Sequence, residues 1–436
     1  MINCTKFPIQ FPALNSKKVV GNFQGGDITS DGGVLLLRHI DRKLGLTKSL
    51  ASAFSDSRAQ GKVKHSIEEM LKQRIFALAL GYEDLNDHIH LKNDIAMQTA
   101  VGKEYPLASS PTLCRFENSF SREQAVAIHK QLIKNFADSF SSPPKYLILD
   151  FDPTDLPVHG NQEGKAYHGY YGHDCFLPMH VFCGNKLLIS YLRPSNQDST
   201  KHTWAILSLL VKYFRKRWPK VKIIFRGDGA FCRKAMLNWC DRHNVKYIVG
   251  IACNSRLQKA LKPHLEAAKS NFEKSKKIEQ EFAQLAYKAD SWKYPRKVVG
   301  KAEVSSRGIS MRTIVTTLEG SPKDLYKKAY CSRGNMENLI KEQLLLFSYR
   351  VSCHQWWPNQ FRLLLSAIAY VLLEHLRACY LNTTQLSKSR VDTLRLKLLK
   401  IGAVIIRNTR TIKFYFSSSY PIQDLFIQLV ERMNSS

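Results

Sequence analysis

From residue 143 onward the chain alternates short apolar runs with amphipathic stretches, in an order that few folds accommodate. Pro143 and Pro144 mark a boundary, and LILDFD follows as a β-run whose acids, Asp150 and Asp152, stand two apart. A β-rich stretch continues through FLPMHVFCGNKLLISYLRP, with Cys183-Gly184-Asn185-Lys186 as its turn. STKHTWAILSLLVKYFRKRW reads as an amphipathic helix, KVKIIFRGD as a strand, RKAMLNWCDRHN as a helix and KYIVGIA as a strand. A meander, then helix, strand, helix and strand, predicts an α/β core.

Charge bounds the partner. The chain has 436 residues and a net charge of +29, from 65 Lys+Arg against 36 Asp+Glu. Its length predicts two or three domains. An excess of that size repels itself unless a polyanion neutralises it, which makes nucleic acid the leading partner. An anionic membrane is the rival, but the longest uncharged apolar run, Leu363 to Leu373, has only 11 residues. MINCTKFPIQF lacks the charged region, apolar core and cleavage site of a leader, so the expectation is a cytoplasmic, nucleoid-associated protein with no membrane role. Ten cysteines with no C-x-x-C pair read as reduced thiols, and the spacing of Cys232, Cys240 and His243 fits no usual zinc finger.

Three acids stand where phosphodiester chemistry could use them. Asp150 and Asp152 share one face of their strand because side chains alternate with period two. Asp228 follows KIIF between Gly227 and Gly229, which permit close approach of backbone or ligand. Further on, AYCSRGNMENLIKEQL places Tyr330, Arg333 and Glu337 at i, i+3 and i+7, one face of a predicted helix. Arg333 offers a bidentate fork for a phosphate, and Tyr330 can stack on or donate to one. Taken singly, each aspartate reads as a turn or cap residue, and Arg333 with Glu337 as an ordinary i,i+4 pair.

Together these residues resemble the DDE transposases of bacterial insertion sequences, in the subgroup whose third acid lies in a Tyr-x2-Arg-x3-Glu-x6-Lys signature. GDITSDGGVLLLRHIDRKLGL and RIFALALGYEDLNDH also look like the amino-terminal part of one such family. The resemblance implies a multidomain α/β protein with a ribonuclease-H-like catalytic core and a β-containing insertion, flanked by helical regions. It implies catalysis and metal binding by Asp152, Asp228 and Glu337, with Mg²⁺ as cofactor and Mn²⁺ as its substitute. Asp152, in Asp152-Pro153-Thr154, matches the family's Asp-x-Thr turn, and Asp150 is the close second. DNA would be cut at the element's ends and the freed 3′ hydroxyl directed at target DNA, by a homodimer or larger assembly. The chain departs from the signature at one point: Leu344 stands where it has lysine, and Lys341 is the nearest basic residue. Two other readings stay open, a metal-dependent nuclease of the same fold that cuts without joining and an inactive domesticated DNA-binding protein.

The predicted organisation is a helical, DNA-binding region over 1–140, the first part of the core over 141–253, an insertion over 254–328, the acid-bearing helix over 329–350 and a basic region over 351–436. Within the first, PTLCRFEN after Ser110 reads as a short helix, either the reading helix of a helix-turn-helix, with Thr112, Arg115 and Glu117 facing DNA, or a packing element. Eight Lys/Arg and no acid lie between Ser199 and Gly227, including Lys212, Arg215, Lys216 and Arg217, and eight more lie between Lys388 and Lys413 against Asp392 alone. Either run could follow a phosphate backbone. The group His159, His168, His173 and His180 matches no metal motif, Gly160-x3-Gly164-Lys165-Ala166 is one residue short of a phosphate loop, and Trp356-Trp357 reads as a core seal.

Overall fold

The computed structural model describes residues 9–56 and 58–435. Most of the amino-terminal stretch read above for a leader, residues 1–8, lies outside them. The chain divides into two compact units, one formed by residues 117–371 and the other by 1–116 with 372–436.

The central unit opens with α1 (Arg122–Asp138), started by a capping box between Ser121 and Gln124. Strand β1 (Tyr146–Pro153) follows the proline pair, then β2 (Met179–Cys183) and β3 (Lys186–Tyr191) as the expected meander. Next come α2 (Thr203–Arg217), β4 (Lys222–Gly227), α3 (Lys234–Arg242) and β5 (Lys246–Ile251). Strands β1, β4 and β5 run parallel, whereas β2 and β3 extend the sheet antiparallel beside β1. Phe151, Phe225, Phe231, Leu210, Phe214 and Val249 fill the core between sheet and helices.

Residues 254–328 do not form a separate module. After α4 (Ser255–Ser275), the strands β6 (Glu279–Tyr287), β7 (Arg296–Ser305) and β8 (Gly308–Thr316) form a meander, and β8 pairs antiparallel with β5. The result is one eight-stranded mixed sheet in the order β6-β7-β8-β5-β4-β1-β2-β3. A small sheet of Leu156–Pro157, Ala166–His168 and His173–Phe176 stands apart from it. Trp356 seals part of the core, its ring edge-on to Phe176 at 5.5 Å.

The acid-bearing segment departs from the single regular helix predicted. Leu325–Tyr330 is a π-helical turn, Cys331–Arg333 a 3-10 turn, and only Gly334–Leu345 (α5) is α-helical. Such wide turns re-aim side chains that an unbroken helix would stack in register.

The second unit joins the two ends of the chain. Helices Val34–Leu44, Ile67–Leu80 and Ile95–Val101 belong to it, and Ile67–Leu80 starts with the expected Ser66–Glu69 capping box. Both flanking regions also carry strands, against the helical expectation: Asp27–Thr29 pairs with Ala403–Arg407, which pairs with Ile412–Phe416. The segment Asp31-Gly32-Gly33 docks backbone on backbone. Gly32 N–H donates to Ile401 O at 2.9 Å, and a Cβ on Gly33 would stand 1.9 Å from Leu398 O. Among the described residues one helix, Trp356–Tyr380, is long and apolar enough to cross a membrane, and 78% of its most apolar window is buried within the protein.

Candidate active site

Parallel strands β1 and β4 bring two acids to the same end of the sheet, since both run towards their carboxyl ends there. Asp152 stands near the end of β1, and Asp228 follows β4 directly, capping the next turn by accepting from Ala230 N–H at 2.9 Å. The π and 3-10 turns then lay Arg333 against them. Its Nη1 is 3.1 Å from Asp152 Oδ2, and its Nη2 is 3.5 Å from Glu337 Oε1. Asp152 and Arg333 are both largely buried, whereas the Glu337 side chain is 58% exposed. The spacing thus gathers Arg333 and Glu337 as read, but through the guanidinium rather than by carboxylates touching one another.

The electrostatics follow. Burial pushes the Asp152 carboxyl up to about 7, the charges of Asp228 and Glu337 push the same way, and Arg333 opposes them. Burial works against the charge of Arg333, yet Asp152, Tyr330, Asp228 and Glu337 together raise its pKa. Burial also raises the Tyr330 phenol. Its hydroxyl reaches the backbone of β5, where a Cβ on Gly250 would stand 2.8 Å from both Tyr330 Oη and Gly229 N. Gly250 therefore lets the Asp228 turn and Tyr330 approach one strand at once.

Asp150 has a different neighbour. It lies opposite Arg226 on β4, whose Nη2 donates to Asp150 Oδ2 at 2.7 Å and whose Nε donates to Oδ1. Arg226 Nη1 also donates to Ala329 O at 2.6 Å and to the Ser332 hydroxyl. Burial raises the Asp150 carboxyl and Arg226 opposes it. One guanidinium thus ties β1 and β4 to the turns that carry Tyr330 and Arg333. Sequence reasoning missed Arg226 and Gly250. The signal for Arg226 was a charge closing the apolar run IIF, inside a strand read as buried.

The family model described as transposase DDE domain group 1 matches residues 11–436. The chain belongs to that transposase family. No curated protein matches it. Among solved structures, the piggyBac transposase synaptic complex with hairpin DNA, determined by cryo-EM, matches at 11% identity and a TM-score of 0.44, covering 85% of this chain and 80% of that one.

The remaining candidate residues of this transposase separate by environment. Lys341 is exposed one turn beyond Glu337, and Leu344 packs against the cluster of Leu156, Val158 and Phe176, which explains why an apolar residue replaces the signature lysine. On α2, Lys212 and Lys216 are exposed. Arg215 instead donates to His243 O at 2.7 Å and Asn244 O at 2.9 Å, closing the end of α3. Arg115 is exposed on helix Ser110–Asn118, with Leu113 and Phe116 buried. Glu117, expected to face DNA with it, is buried and accepts from Arg362 Nε at 2.8 Å.

Among the described residues no group of three or more His, Cys, Asp or Glu side chains is gathered closely enough to hold a metal ion. The donor chemistry nevertheless suits a hard divalent cation. Asp152 and Glu337 pair with one guanidinium, Arg333, and Asp228 is near enough for its charge to act on both Asp152 and Arg333. Three carboxylates thus stand against one cation, with two negative charges in excess when all are ionised.

Proposed function

We propose that this transposase cuts DNA strands at the ends of a mobile element and joins the freed 3′ ends to target DNA, with Asp152, Asp228 and Glu337 as its acids. The observation that carries this reading is the guanidinium of Arg333, which pairs with both Asp152 and Glu337 beside the end of β1, with Asp228 following the adjacent parallel strand β4. We further assign the core to the ribonuclease-H-like class. The support is the strand order β3-β2-β1-β4-β5 with β1, β4 and β5 parallel.

Asp152, Asp228 and Glu337 would hold Mg²⁺, or Mn²⁺ in its place. Bound there, a divalent ion would supply Lewis acidity towards phosphate oxygens. The chain's own residues do the rest. Arg333 and Tyr330 hold the phosphate flanking the cut, the first through its planar fork and the second through its hydroxyl. The Arg226–Asp150 pair keeps those turns in register with β1 and β4. Lys341 is within a turn of the acids and can contact the same strand. Arg115, Lys212 and Lys216, all exposed, would bind duplex phosphates, and Arg215, which is held against the end of α3, would join them only in part. Two ends must be held together, so the working form on DNA is a homodimer or larger assembly.

The test is incubation with the DNA flanking its own gene, with and without Mg²⁺, followed by mapping of cut and joined ends. Metal-dependent cutting with joined products supports the proposal. Cutting without joining would favour a nuclease of the same fold, and binding without cutting an inactive DNA-binding relative.

A further inference from the structure

In the DNA-free protein the acids already have a cation. Arg333 Nη1 stands 3.1 Å from Asp152 Oδ2, and its other terminal nitrogen faces Glu337 at 3.5 Å, so the guanidinium occupies the carboxylates a metal would need. A magnesium-sized ion sits about 2.1 Å from its carboxylate oxygens, so ion and guanidinium would compete for one lone-pair region while repelling each other. Both side chains of the Asp152–Arg333 pair are about 15% exposed or less, at 13% and 16%, where that repulsion is poorly screened. Arg333 has a second destination, because a planar fork that grips two carboxylates is equally suited to a phosphate. The segment holding it is a 3-10 turn between a π turn and α5, a joint where a small backbone change moves the side chain.

Resting on the functional reading above, we propose that Arg333 locks the acid cluster in the free transposase and that a DNA phosphate releases it. A phosphate arriving beside Arg333 draws the guanidinium off Asp152 and Glu337, and the acids then take up the divalent ion. Metal loading is thereby tied to DNA, and by linkage the ion strengthens DNA binding by the same factor. Free transposase stays poorly loaded until a strand lies against Arg333.

The measurement is Mn²⁺ binding to the full-length protein without DNA, read by the paramagnetic resonance signal of unbound Mn²⁺. Wild type should bind weakly, and Arg333→Gln about tenfold or more tightly, the scale of one charge-assisted contact removed. Lys328→Gln removes a charge from the neighbouring π turn, where Lys328 pairs with Asp324, and should leave the affinity unchanged. Should Arg333→Gln fail to fold, Arg333→Lys keeps the charge without the two-pronged grip and should bind Mn²⁺ with intermediate affinity. Equal Mn²⁺ affinity in wild type and the position-333 variants overturns the lock, as does an equal gain in Lys328→Gln. Absence of Mn²⁺ binding from every variant, with flanking DNA present as well as absent, would instead remove the metal-dependent reading itself.

Discussion

Asp152 and Asp150 show how two residues apart on one strand can differ in use. Asp150 faces a guanidinium fixed by two further contacts, to Ala329 O and the Ser332 hydroxyl, so its charge is neutralised within the fold. Asp152 shares its guanidinium with other acids, and burial pushes its carboxyl up to about 7. A carboxyl whose folded value is raised favours the folded state while protonated. Its contribution is complete below about 4, and it is lost as pH rises towards 7. Asp152→Asn should therefore melt with the wild type near pH 4 and above it at pH 8 in metal-free buffer, as followed by thermal denaturation at both pH values. For function, Asp152→Ala, Asp228→Ala or Glu337→Ala should abolish strand cutting while leaving end binding largely intact, because affinity comes mainly from phosphate contacts elsewhere. Near wild-type cutting by Asp228→Ala in an end-cleavage assay would refute the acid assignment. Gly250→Ala tests the support of the site. Its methyl would meet the Gly229 backbone and the Tyr330 hydroxyl, both at 2.8 Å, so cutting should fall by an order of magnitude or more with little change in the helical content seen by circular dichroism.

At the scale of elements, the alternation after Pro143 made β1 to β5 legible, because period-two and helical patterns there are strong and the helices between strands are amphipathic. The placements of Asp152 and Asp228 on the fold were legible for the same reason: one stands near the end of a readable strand and the other directly follows one. What stayed hidden depended on partners far along the chain. The π and 3-10 turns before α5 are held by Arg226, more than a hundred residues upstream, and no local pattern announces them. Glu117 looked like a surface acid until Arg362 was seen opposite it. Strand Asp27–Thr29 is too short to be read without Ala403–Arg407 beside it. Leu344 provides the element-scale prediction. Restoring the signature lysine there would press an ammonium against Leu156, Val158 and Phe176, so Leu344→Lys should lower stability by about 1–3 kcal/mol in urea denaturation rather than improve cutting.

Over the whole molecule, the charge of +29 predicts duplex affinity that falls steeply with salt, by a log-log slope of about −0.9 per phosphate contact. Lys212→Glu with Lys216→Glu should flatten that slope without moving the cut site, measured as binding across a salt series. Adding Arg215→Glu should also cost stability, since Arg215 closes the end of α3.

The backbone docking of Gly32 and Gly33 onto Leu398 to Ile401 has a consequence for how the protein is made. Roughly 365 residues separate Gly33 from Leu398, about 20 to 70 seconds of translation at usual rates of about 5–20 residues per second. Throughout that interval the first helices lack the surface they close upon, although Asp152, Asp228 and Glu337 have all been added roughly 60 residues before it ends. A gene copy interrupted shortly before codon 398 would thus keep Asp152, Asp228 and Glu337 while losing the segment on which Gly32 and Gly33 dock. Decay from the 3′ end would then strike at folding before it reached Glu337.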